Sequence, residues 1–177
     1  MNNKKIKTVS IILAILLIIS GAGNIFLIIN NKEVVWNVIA IAELLATLFA
    51  AFYIIAGCTK EKGACFFKVS MILQALVYFL LISLVPNATI GIMIMLIKFG
   101  CLCLLSFAKD LGKKKSFTIA IIYAITGVLS LKGIKFGTFT FASLASLISR
   151  LENLLLAVST VLMVAAKYYD KAERGTK

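Results

Sequence analysis

The stretch that most limits how this chain can fold is Ala88–Ala108, an apolar run that stops abruptly at a basic one. It reads Ala88-Thr-Ile-Gly-Ile-Met-Ile-Met-Leu-Ile-Lys-Phe-Gly-Cys-Leu-Cys-Leu-Leu-Ser-Phe-Ala108, and Lys109-Asp-Leu-Gly-Lys-Lys-Lys115 follows. At about 1.5 Å per residue, this run makes roughly 31 Å of helix, the thickness of a bilayer's hydrocarbon core. Lys98 is its single charged residue. The four lysines in the seven residues that follow are the kind of cluster that keeps one end of a membrane helix in the cytoplasm.

The pattern recurs along the chain. Apolar runs cover approximately 8–29, 34–57, 66–85, 88–108, 117–136 and 142–166. The expected fold is all-α: an integral membrane bundle of six transmembrane helices in one domain over 1–177. Two details of the ends follow. Thr138–Ser146 is semi-polar and suits the outer interface, while Lys167–Lys177 is too charged for hydrocarbon and reads as a tail. Ser20-Gly21-Ala22 resembles a signal-peptide cleavage site, but the apolar run continues through Ile29, which favours an uncleaved helix.

Orientation follows from the lysines. With the N-terminus inside and six crossings, fourteen basic residues fall on the cytoplasmic side and three (Lys32, Lys132, Lys135) outside. That bias predicts both termini in the cytoplasm, as in a bacterial-type inner membrane. Lys113, Lys114 and Lys115 would then form a rim attractive to anionic lipid.

Composition matters here for what it excludes. The chain is 62% hydrophobic and 15% charged, whereas a soluble domain is about 45–50% apolar and about a quarter charged. The net charge of +12 would suggest nucleic acid in a soluble protein, but these lysines sit in short connections with no reading helix or stacking platform. Histidine is absent and only seven carboxylates exist, which removes the commonest general base and metal ligand. Neither an enzyme, a metal site nor a cofactor is expected. Cys58, Cys65, Cys101 and Cys103 have no metal-site spacing and read as packing or interface residues.

The informative residues are the charges inside the apolar runs: Glu43, Lys98, Arg150 and Glu152. Each costs a few kcal/mol or more in hydrocarbon unless it is paired or hydrated, so each should face the bundle interior. Counted from the cytoplasmic ends, Glu43 and Glu152 lie about 21 Å up and Lys98 about 15 Å. One helical turn separates them, within reach of a lysine, so a polar cluster near the midplane is expected, with Lys98 serving one or both carboxylates. On the sixth span Ser143, Ser146, Arg150, Asn153, Ala157 and Thr160 form a small-polar stripe at helical spacing. On the second, Ala42, Ala46 and Ala50 form a small-residue seam suited to close packing.

Two functions fit. The first is transport or permeation of a small solute or ion through a site built from Glu43, Lys98, Arg150, Glu152 and Asn153. The second is a non-catalytic membrane subunit that meets a protein partner or another copy through the Ala42, Ala46, Ala50 face. In length and span count the chain is similar to the substrate-binding subunits of energy-coupling-factor transporters, a likeness of fold and size carried by no motif. Two other readings of the four intramembrane charges stand beside these: an ion-pair network that only fixes helix order, or snorkelling to the interface, with Glu43 and Arg150 nearer the membrane surface than the count places them.

Overall fold

The computed structural model describes residues 3–30, 32–55, 61–84, 89–107, 111–129 and 141–174. They form six helices: α1 (Asn3–Asn30), α2 (Val34–Ile55), α3 (Glu61–Leu84), α4 (Thr89–Phe107), α5 (Lys113–Leu129) and α6 (Phe141–Arg174). No strand occurs among the described residues. Each helix packs on its sequence neighbour, α6 returns to α1 to close the ring, and α2 also touches α6. Short connections between long apolar helices make sequence neighbours pack side by side, and each helix satisfies its backbone polar groups internally apart from those at its ends.

Among the described residues, four helices are long and apolar enough to cross a membrane: Thr8–Asn30, Val34–Ile55, Cys65–Leu84 and Leu147–Ala165. The apolar part of α4, Gly91–Phe107, is shorter. The described part of α5 ends at Leu129, so the rest of the expected 117–136 span lies outside the described residues. So do the side chains of Ser143 and Ser146.

The distribution of polarity is that of a bundle in lipid. Ile19 is 62% exposed and Phe107 66%, whereas Lys98 is 3% exposed and Glu152 1%. Large aliphatic side chains cover the outside, while Asn24, Glu43, Gln74, Lys98 and Glu152 are buried. Water would drive the reverse arrangement; a hydrocarbon solvent makes it stable.

Two expectations are corrected and one segment gains a conformation. Lys113, Lys114 and Lys115 do not lie in a loop but open α5, where Ser116 N donates to Gly112 O at 3.1 Å. Three cations on a helix N-terminus oppose the dipole by a few tenths of a kcal/mol each, but their ammonium groups are exposed and can be hydrated. The charged segment after Ala166 continues as helix to Arg174, with no Gly or Pro to interrupt it before Gly175. The Ala42, Ala46, Ala50 seam is not a face for a partner chain: all three are buried within the bundle. Its small side chains let α3 approach so closely that Ser70 Oγ donates to Ala46 O at 2.9 Å.

Candidate functional site: a buried polar cluster at the centre of the ring

The polar residues of the interior fall into two groups by where their hydrogen bonds go. Most hydroxyls bond back to their own helix: Thr47 Oγ1 to Leu44 O (2.8 Å), Ser106 Oγ to Leu102 O (2.7 Å), Thr126 Oγ1 to Tyr123 O (2.6 Å) and Thr160 Oγ1 to Leu156 O (2.8 Å). Such groups satisfy themselves at little cost and say nothing of a ligand. Thr160, part of the stripe on α6, belongs with them.

The second group bridges helices and draws on all six. On α1, Asn24 Nδ2 donates to Glu152 Oε2 of α6 at 2.6 Å. On α3, Gln74 Nε2 donates to Ser70 Oγ at 3.1 Å and Gln74 Oε1 accepts from Tyr123 OH of α5 at 2.7 Å. Lys98 of α4 donates to Tyr78 OH at 3.3 Å, with its Nζ 5.0 Å from the centre of the Tyr78 ring. The Tyr78 hydroxyl in turn donates to Asn153 Oδ1 of α6, whose Nδ2 donates to Ser149 O at 2.8 Å. Tyr78 and Tyr123 meet edge to face, with centroids 6.4 Å apart. Glu43 of α2 lies within electrostatic range of Lys98, Glu152 and both tyrosines.

Close backbone approach sets this geometry. A Cβ on Gly23 would stand 2.7 Å from Ile148 Cγ2. The bare glycine therefore lets α1 lie against α6 one residue before Asn24 and one turn before Glu152. A Cβ on Gly127 would stand 2.7 Å from Ala157 Cβ, so α5 and α6 are equally close beside Tyr123 and Asn153.

Of the residues expected from sequence, Glu43, Lys98, Glu152 and Asn153 share this interior. Arg150 is only half-buried; two residues from Glu152 on a helix, it points away from it. Asn24, Ser70, Gln74, Tyr78 and Tyr123 were not anticipated. The available signal was the amide in each of two apolar runs, Asn24 in the first and Gln74 in the third, since an amide is costly in hydrocarbon without partners.

The formal charge of Glu43, Glu152 and Lys98 together is −1. Among the described residues, Glu152 Oε1 and Asn24 Oδ1 are buried and accept no hydrogen bond. With both carboxylates ionised, the cluster lacks positive charge and donors, not acceptors. No group of three or more His, Cys, Asp or Glu side chains among the described residues could hold a metal ion. No family model, curated protein or solved structure matches the chain.

Proposed function

We propose that this is a small multi-pass protein of the cytoplasmic membrane that passes a small solute or ion through the polar centre of its helix ring. The supporting observation is the buried set Glu43, Lys98 and Glu152, surrounded by amides and phenols from α1, α3, α5 and α6. A network that only fixed helix order would gain from satisfying every polar atom, because each unmade buried bond costs about 1–3 kcal/mol. Two acceptors left bare at its centre favour a site that receives something. The role is one of passage, not catalysis. The partner-subunit reading loses its surface, since the alanine seam is consumed within the chain.

The test is osmotic swelling of liposomes carrying the purified protein in isotonic solutions of small neutral, anionic and cationic solutes. Faster swelling than empty liposomes for at least one solute, lost in the Glu43→Gln/Lys98→Met double variant, is expected. Equal rates for all solutes would refute passage.

The same reading places both termini and the Lys113–Lys115 turn in the cytoplasm, against anionic lipid. With the native cysteines replaced by Ala, Lys114→Cys should react with a membrane-impermeant maleimide only after the cells are permeabilised. Labelling of intact cells would invert the topology.

A further inference from the structure

We infer that Asn24 and Glu152 form a binding site for a single monovalent cation. The inference rests on reading the cluster as a solute site and names the chemistry it accepts.

Glu152 is 1% exposed and Asn24 0%. They are tied by one hydrogen bond, Asn24 Nδ2 to Glu152 Oε2 at 2.6 Å, which orients the amide against the carboxylate. That leaves one oxygen on each residue, Glu152 Oε1 and Asn24 Oδ1, buried with no donor. Both are hard oxygen acceptors, and neither can donate while Glu152 is ionised. What completes them must bring positive charge or donor hydrogens.

The surroundings agree in sign. Glu43 lies within electrostatic range of Glu152, and Lys98, the buried cation of the cluster, donates to Tyr78 and lies within electrostatic range of Glu43. One added positive charge brings the formal sum of Glu43, Glu152 and Lys98 to zero; a second would overshoot, and an anion would worsen the imbalance. Carboxylate and amide oxygens suit either an alkali cation or the ammonium group of a small amine. Both offer the same chemistry, and the experiment separates them.

N,N′-dicyclohexylcarbodiimide, an apolar reagent, attacks intramembrane carboxyl groups, and its adduct on Glu152 can be counted by mass spectrometry in the wild-type protein. Labelling would be timed in detergent at constant ionic strength, with N-methylglucamine chloride replaced by sodium, potassium or methylammonium chloride. Saturable protection of Glu152, slowing its labelling at least tenfold, is expected from at least one of them. Protection by an alkali ion assigns an inorganic cation, and protection by methylammonium alone assigns an organic amine. Unchanged labelling in all three overturns the inference. Asn24→Leu supplies the second arm: it should weaken protection at least tenfold, and protection undiminished in that variant would also overturn the site. Protection without liposome swelling would leave the cation site standing and remove passage. Swelling without protection would do the opposite.

Discussion

Lys98→Met will destabilise the purified bundle by about 3–5 kcal/mol, and adding Glu43→Gln will return most of that loss. The lysine is 3% exposed and projects from α4 into the interior, where its Nζ meets the Tyr78 hydroxyl at 3.3 Å and lies within electrostatic range of Glu43. Methionine keeps the length and apolar stem of lysine and deletes only the ammonium. What remains is a buried carboxylate on α2 that has lost its compensating charge, and that uncompensated charge is the source of the cost. Neutralising Glu43 removes the charge that was orphaned, so the double variant should lie well above the sum of the two single effects. Reversible unfolding in mixed detergent gives all four corners of the cycle. Additive effects, or a loss below about 1 kcal/mol for Lys98→Met, would mean that the two charges are not a pair. The double variant also separates structure from function. A well-folded chain without these charges that still swells liposomes would confine Glu43 and Lys98 to holding the helices.

How much of this site could be read beforehand depends on the price of each group in hydrocarbon. Glu43, Lys98 and Glu152 stand out in the sequence because an isolated charge in an apolar run has no tolerable place except the interior. Neutral groups give a weaker signal. A serine or threonine in the same run is usually satisfied by its own helix, as Thr47 and Thr160 are. A tyrosine is as much at home in the interface as in the core. Tyr78 and Tyr123 therefore became visible only when α3, α4 and α5 were brought together. Asn24 and Gln74 were the legible exceptions, because their amides present more donors and acceptors than one turn of backbone can take up.

Arg150 shows the opposite error. Its charge suggested burial, yet two residues apart on a helix Arg150 and Glu152 cannot share a face, and it is Glu152 that is buried while Arg150 is half-buried. The alanine seam was misread for a related reason. Spacing reveals that a helix face is small, not which neighbour fills it, and α3 of the same chain was the neighbour. The limits of α5 and α6 were obscured by lysines, which are good helix formers wherever water can reach them.

Gly127→Leu will open the contact between α5 and α6 and, on the proposed function, abolish liposome swelling, although position 127 carries no polar atom of the cluster. Even the first added carbon is too much: a Cβ at 127 would lie 2.7 Å from Ala157 Cβ and 3.7 Å from Asn153 O. The obstacle is another Cβ, which moves only with its helix, so the two backbones must separate. Gly127→Ala should then cost about 1–3 kcal/mol, the usual range for overpacking, and leucine more. The displacement would reach the site, because Ala157 stands one turn from Asn153, which accepts the Tyr78 hydroxyl that Lys98 contacts. Two companions fix the interpretation. Ala157→Gly combined with Gly127→Ala removes the colliding carbon and should recover most of the stability. Gly100→Ala, on α4 where an added Cβ meets nothing within 4 Å, should be neutral or stabilising by up to about 1 kcal/mol, as expected for alanine over glycine within a helix. If Gly127→Ala melts like Gly100→Ala, the close approach of α5 to α6 is wrong. The placement of Tyr123 and Asn153 in one cluster would then fail with it.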